Sequence, residues 1–219
     1  MTDRFRRPAL AAAAMAALLV IASTVLPTPF GVPTAHAACS DVEVVFARGT
    51  DQPPGLGREG TAFVNALRPQ LGGRSLGVYA VVYPATYDFL AAAGGANDAS
   101  AHIQGTIVDC PATRIVLAGY SQGAAIVDVL AAVPFPAIGF NAPLPPDAPD
   151  HIAALAVFGN PSTKVGLPLT ASPIYGSRSI DLCIGGDPVC SDGNDVAAHS
   201  NYVAAGLVNQ GADFVAGIV

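Results

Sequence analysis

Residues 114–126 read Arg-Ile-Val-Leu-Ala-Gly-Tyr-Ser-Gln-Gly-Ala-Ala-Ile. An apolar run at 115–117 leads into Gly119-Tyr120-Ser121-Gln122-Gly123, and a second apolar run starts at Ala124. The pattern G-x-S-x-G gains meaning from this setting between a buried strand and a helix. The two glycines leave room for a sharp strand-to-helix turn that lifts a serine hydroxyl above the sheet as a nucleophile. The helix N-terminus beyond it offers unpaired backbone N–H groups and the positive end of the helix dipole, which suit an oxyanion. The stretch therefore predicts Ser121 as a nucleophile, against the plainer alternative of a tight turn holding a buried serine.

The same alternation extends outward along the chain. Segments 42–46, 78–83, 115–118, 152–158 and 179–183 read as strands. Segments 61–71, 100–108 and 122–132, a stretch after Asp195, and 202–219 read as helices. Nearly continuous apolar strands separated by helices indicate a parallel sheet covered on both faces. The fold expected is a three-layer α/β/α sandwich of about five strands. The Pro-rich stretch 143–149 reads as a surface connection within one domain.

The N-terminus reads differently. Arg4, Arg6 and Arg7 precede an apolar stretch at 8–26, prolines break it, and Ala35-His36-Ala37 forms a small-x-small cleavage site. This is the pattern of a secretory signal peptide over 1–37, with a domain over 38–219. The competing reading is an uncleaved anchor. Removing 1–37 takes away three Arg and one Asp, which moves the formal charge from −6 to −8. An acidic, exported domain without a basic stripe is a poor nucleic-acid binder. All four cysteines lie in the exported part, where an even count implies two disulfides. Three pairings are possible. Cys183 and Cys190 are close enough to staple a short loop, which leaves Cys39 with Cys110. The spacing is a poor match to a zinc site.

A serine nucleophile needs a base and an acid to orient it, in the chain order Ser, acid, His on this type of sheet. His102 precedes Ser121, and His151 sits at the N-terminal edge of a strand, whereas active sites gather at the C-terminal edge. His199 follows the last strand and can fold back over that edge. The acid must lie between Ser121 and His199. Asp128 faces elsewhere on its helix, Asp147 and Asp150 sit in the Pro-rich loop, and Asp181 lies within a strand. Asp187 lies beyond the last strand, inside the Cys183–Cys190 segment, where a staple would fix a carboxylate. Asp192 and Asp195 are the reserves. For the oxyanion hole, the N–H of Gln122 should join one from Arg48-Gly49-Thr50, with Thr50 the candidate donor. Phe89, Leu90, Val196 and Ala197 fall near the expected rim, as acyl-chain contacts or as packing residues.

These motifs together resemble the cutinases, in particular the secreted cutinase-like proteins of high-GC bacteria. The resemblance spans 39–219. It rests on the early Cys followed by Val-Phe-Ala-Arg-Gly-Thr, on Gly119-Tyr-Ser-Gln-Gly123, on Cys183-x-x-Gly-Asp-x-x-Cys190, and on His199 soon after. It implies Ser121 as nucleophile, Asp187 as acid, His199 as base, and Thr50 with Gln122 as the oxyanion-hole pair. It also implies the disulfides Cys39–Cys110 and Cys183–Cys190, a five-stranded parallel sheet, and a lidless serine esterase site with no metal or organic cofactor. The expected enzyme is a secreted, monomeric carboxylic ester hydrolase acting on short- to medium-chain acyl esters, a cutin-like polyester or lipid, with transient contact to a lipid or polymer surface. The alternatives are a catalytically silent lipid binder and an acyltransferase on the same fold.

Overall fold

The structure is a computed structural model and describes residues 39–219; the expected signal peptide at 1–37 lies outside the described residues. Five strands, β1 (Val42–Ala47), β2 (Leu76–Ala80), β3 (Arg114–Tyr120), β4 (Ile152–Phe158) and β5 (Ser179–Leu182), form one parallel sheet in the order β2-β1-β3-β4-β5. The chain reverses its direction of travel between β1 and β3. In open α/β sheets the crevice outside the carboxyl ends of the strands at such a switch point is where ligands bind.

The helices are α1 (Gly57–Leu67), α2 (Ala92–Asp109), α3 (Gln122–Ala132), the single turns α4 (Ala148–His151), α5 (Pro161–Lys164) and α6 (Val196–His199), and the closing α7 (Leu207–Ala216). Strand periodicity sends alternate side chains to opposite faces. Val45, Ala47, Ile115, Leu117, Leu155 and Val157 pack under α2 and α3. Val44, Phe46, Val116, Ala118, Ala156 and Phe158 pack under α1 and α7. On that second face Phe63 meets Phe158 edge-on at 5.9 Å, a geometry that aromatic quadrupoles favour.

Several boundaries differ from the sequence reading. The helix expected at 61–71 begins at Gly57 and ends at Leu67, after which Arg68–Leu71 tightens to a 3-10 turn. Pro69 ends the α-helix because it lacks an N–H and clashes with the preceding turn. The helix expected at 100–108 begins at Ala92. Gly94 and Gly95 lower its intrinsic propensity, but a Cβ on Gly95 would come within 2.6 Å of Ile126 Cδ1. Close packing of α2 on α3 therefore selects glycine there. The strand expected at 78–83 is β2 at Leu76–Ala80. Beyond it the Arg48 guanidinium takes the carbonyls of Val81 and Tyr83 in place of ladder partners. The expected long helix 202–219 is only α7, because Gly206 at φ 78° starts it and Tyr202 is drawn wholly into the core.

Cys39 is bonded to Cys110, tying the entry to β1 to the end of α2 across 71 residues. Closing a loop of that length removes unfolded-chain entropy worth about 4 kcal/mol. The double variant Cys39→Ser/Cys110→Ser should therefore lose about 4 kcal/mol of unfolding free energy in urea titration. The cleft at the C-terminal ends of the strands should keep its wild-type geometry well below the transition, because the bridge ties the start of β1 to the end of α2, away from those ends.

Candidate active site

Ser121 occupies the turn between β3 and α3 at φ 56°, ψ −117°, a backbone conformation that non-glycine residues adopt only under constraint. The constraint comes from packing. A Cβ on Gly119 would lie 2.3 Å from the Gly123 carbonyl oxygen, and one on Gly123 would lie 1.9 Å from that of Ala47. Both motif glycines are thus required for the end of β1, the turn and the start of α3 to meet. The Ser121 N–H donates to the Phe158 carbonyl at 2.9 Å, which ties the turn to β4.

His199 closes the single turn α6 and reaches back over this edge. Its Nε2 lies 2.9 Å from Ser121 Oγ and its Nδ1 lies 2.8 Å from Asp187 Oδ2. Gly159, at φ 60°, leaves the space: a Cβ there would come within 3.0 Å of the imidazole Cε1. Asp187 is fully buried. Its charge is met by the Val189 N–H on Oδ1 at 2.8 Å and by the Tyr202 hydroxyl on Oδ2 at 2.6 Å, besides the histidine. A buried carboxylate is tolerable only with such partners. Cys183 is bonded to Cys190, and Ser191 returns both its N–H and its hydroxyl to the Asp187 carbonyl. The loop carrying the acid is therefore stapled and knit.

The oxyanion-hole candidates also converge. The Thr50 hydroxyl donates to Gln122 Oε1 at 3.3 Å, and the Gln122 amide donates to the Thr86 carbonyl. The Gln122 N–H opens α3 and so has no carbonyl of its own helix to pair with. Among the described residues the Thr50 N–H has no protein acceptor. Both residues line, with Ser121 and His199, a cavity of about 790 Å³. Its other walls are largely apolar. Tyr87, Phe89 and Val196 line it and are exposed. For Phe89 and Val196 the packing alternative is thereby excluded; Leu90, beside Phe89, is 79% exposed and likewise outside the core.

The remaining candidates fall elsewhere. His102 pairs with Glu43 at 3.0 Å and stacks on Tyr79. His151 lies at the opposite end of the sheet beside Arg114. Asp195 caps α6 through the N–H groups of Ala197 and Ala198, so this reserve acid holds the histidine turn from its N-terminus. Asp147, Asp150 and Asp192 are exposed. Asp128 and Asp181 share the Asn160 amide on the far side of α3. Burial, with the Asp181 charge adding to it, raises the Asp128 carboxyl to about 6.

Two tyrosines were missed by sequence reasoning. Tyr120 lies under the imidazole, ring centroids 5.0 Å apart at 25°, and its hydroxyl donates to the His199 carbonyl. Burial raises its pKa, so it remains a donor. Tyr202 was assigned to a packing helix. Its signal, an aromatic three residues after the candidate base, is indistinguishable in sequence from a core residue.

The Cutinase family model matches residues 38–219. The chain belongs to the cutinase family. It is similar to Phospholipase Culp4 of Mycobacterium tuberculosis (strain ATCC 25618 / H37Rv), at 57% identity over 212 residues, covering 96% of this chain and 91% of that protein. Carboxylesterase Culp1 of Mycobacterium bovis is 47% identical over 209 residues, covering 90% and 92%. Among solved structures, a Trichoderma reesei cutinase in complex with a C11Y4 phosphonate inhibitor superposes with a TM-score of 0.65 at 30% identity, covering 82% of this chain and 76% of that one. An acetylxylan esterase superposes with a TM-score of 0.70 at 26% identity, covering 83% and 99%. This cutinase-family chain is a carboxylic ester hydrolase on a five-stranded α/β fold.

Two outcomes follow from the site. Opening the Cys183–Cys190 bridge, seven residues in separation, should cost only about 2 kcal/mol of stability. It should lower kcat about tenfold or more, because orienting an imidazole tolerates little displacement of its acid; steady-state kinetics of Cys183→Ser/Cys190→Ser read this, and an unchanged kcat would refute it. Asp128 keeps a proton in the folded state that the unfolded chain releases above about pH 4. Its contribution to stability is thus complete in acid and is lost as pH rises through about 6. Asp128→Asn should be more stable than wild type by about 1–2 kcal/mol at pH 8, with the difference vanishing towards pH 4. Melting curves across that range check it; a pH-independent difference would sink it.

Proposed function

We propose that this cutinase-family protein is a secreted serine esterase in which Ser121, His199 and Asp187 form the catalytic triad and Thr50 and Gln122 the oxyanion hole. The observation that carries the reading is the unbroken hydrogen-bonded line from Ser121 Oγ through His199 to Asp187, at 2.9 and 2.8 Å, with the serine on a strained turn at the mouth of a cavity. His199 Nε2 takes the Ser121 proton as Oγ attacks the ester carbonyl. The tetrahedral oxyanion is held by the N–H groups of Thr50 and Gln122. His199 then gives the proton to the departing alcohol, and water repeats the sequence on the acyl-enzyme. Asp187 stays ionised and holds the imidazole with Nδ1 protonated. Tyr202 and the Val189 N–H support that charge.

The substrate proposed is a carboxylic ester with an apolar acyl group. The cavity lies in the size range of sites for small organic ligands. Its apolar wall of Tyr87, Phe89, Ala92, Ala125, Val189 and Val196 suits an acyl chain. Exposed Tyr87, Phe89, Leu90 and Val196 around the mouth suit transient contact with a lipid or polymer surface. One relative is named a phospholipase and another a carboxylesterase, and both names fit an acyl ester. Export is supported by the signal-like 1–37 and by the two disulfides, which persist in oxidising compartments. Among the described residues no helix is long and apolar enough to cross a membrane.

Hydrolysis of p-nitrophenyl esters from acetyl to long acyl chains, by the protein beginning at Ala38, tests the proposal. Turnover should fall by about 10⁴-fold or more in Ser121→Ala. Absence of Ser121-dependent turnover from the folded, disulfide-bonded protein would instead favour a lipid binder. Transfer to an added alcohol in preference to water would favour an acyltransferase.

A further inference from the structure

Glu59 is completely buried beside the site, yet no step of the ester chemistry uses it. Its Oε1 accepts from Arg58 Nε at 3.0 Å and Nη2 at 2.6 Å, and its Oε2 accepts from Gln52 Nε2 at 2.5 Å. Each partner continues to a different part of the site. Gln52 Oε1 accepts the Gly49 N–H at 2.9 Å, and the Gln52 N–H donates to the Gly49 carbonyl at 3.3 Å. Because a trans peptide is planar, a Gly49 carbonyl aimed at Gln52 turns the Thr50 N–H to the opposite side. On the other branch, Arg58 Nη2 donates to the carbonyl of Ser200, the residue after His199, at 2.5 Å. Glycine makes room for the arrangement: Gly57 sits at φ 68°, and a Cβ on it would meet Gln52 Oε1 at 2.2 Å.

We propose that Glu59 is a positioning residue whose buried carboxylate clasps the oxyanion-hole loop, through Gln52, to the histidine turn, through Arg58. The proposal rests on the reading of Thr50 as an oxyanion-hole donor and of His199 as the base. Its physical basis is that charge-assisted hydrogen bonds are shorter and stronger than neutral ones and hold a fixed geometry. Bound to Gln52 of the hole loop and to Arg58, which reaches the Ser200 carbonyl, one carboxylate sets the distance between the hole and the base. A small displacement of either costs most in the transition state, where charge develops on the oxyanion and the imidazole together. Arg58 and Gln52 also line the cavity, so the clasp senses the site from inside it.

The test separates positioning from bulk stability. Glu59→Gln keeps the shape but turns an acceptor into a donor facing Arg58 or Gln52. It should lower kcat on p-nitrophenyl butyrate about ten- to a hundredfold, with KM within about threefold, at temperatures well below its melting point. The rate at which a p-nitrophenyl phosphonate, a tetrahedral mimic, modifies Ser121 should fall in parallel. Glu59→Asp should recover part of both losses. Arg58→Met changes a side chain that is 54% exposed and leaves Glu59 with Gln52 as its side-chain donor. It should lower kcat about three- to tenfold through loss of the Ser200 contact and of both Arg58 hydrogen bonds to Glu59, and it decides the matter if Glu59→Gln does not fold. Wild-type kcat and phosphonylation in either folded variant, with only a lowered melting temperature, would overturn the proposal. A loss confined to KM would assign Arg58 to substrate contact and would overturn it as well. Wild-type turnover that is absent, or that Ser121→Ala leaves unchanged, would mark failure of the serine esterase reading itself.

Discussion

The left-handed turn at Ser121 is the constraint on which the rest of the structure depends. A non-glycine residue at φ 56° costs of order 1–3 kcal/mol and persists only where its surroundings over-determine it. Here they do so from three sides. The Ala47 carbonyl at the end of β1 presses against Gly123, the Phe158 carbonyl of β4 holds the Ser121 N–H, and α3 continues without interruption from Gln122. The three central strands must therefore end in register for Ser121 to stand where it does. This explains why the sheet is buried on both faces by tightly packed small and branched side chains. The switch point between β1 and β3 then places the loop after β1, with Gly49 and Thr50, beside the serine.

Around that turn the polar groups are buried in linked sets. Asp187, Tyr202, His199 and Tyr120 form one: Tyr202 and His199 bond the Asp187 carboxylate, the His199 ring lies on Tyr120, and the Tyr120 hydroxyl bonds the His199 carbonyl. Glu59, Arg58 and Gln52 form another, which reaches the carbonyl of Ser200, next to His199. Both carboxylates are inaccessible to solvent, and each is satisfied by donors from more than one residue. In a low-dielectric interior such sets are rigid when complete and costly when broken. They make the geometry of the site resistant to motion of any single loop.

What was legible in the sequence follows from this physics. The β3–α3 junction was readable because a strained turn leaves a residue signature, glycine on either side of serine, that few other contexts require. The strand 152–158 was readable because burial on both faces forces a continuous apolar run, and 42–46 because its apolar residues alternate around Glu43 before running on through Val44–Phe46. His199 and Asp187 followed from chain order and sheet edge. The start of α2 at Ala92 was hidden because packing against Ile126 selects Gly95, a residue that reads as a helix breaker. The closing helix was over-extended because Tyr202, Val203, Ala204 and Ala205 carry no mark of the turn that Gly206 imposes. Glu59 and Tyr202 were not legible at all. Their partners are set by where loops meet in space, and neither Gln52 nor Arg58 differs in type from any solvated residue of a loop or first helical turn.

The division between a fixed interior and a variable rim also follows. Ser121, Gln122 and Asp187 are buried and His199 is mostly so, each tied by hydrogen bonds to strand ends or stapled loops. Tyr87, Phe89 and Val196 stand exposed on the wall of the same cavity, and the Gln122 amide bonds the loop of Tyr87 and Phe89 through the Thr86 carbonyl. A change of side chain at Tyr87 or Phe89 alters the exposed wall and leaves the hydrogen bonds of His199 to Ser121 and Asp187 in place. A change in the interior strikes the strained turn or leaves a buried charge unpartnered. The same sheet carries relatives named Phospholipase, Carboxylesterase and acetylxylan esterase, as expected where a buried framework is held apart from an exposed wall that side-chain changes can remodel.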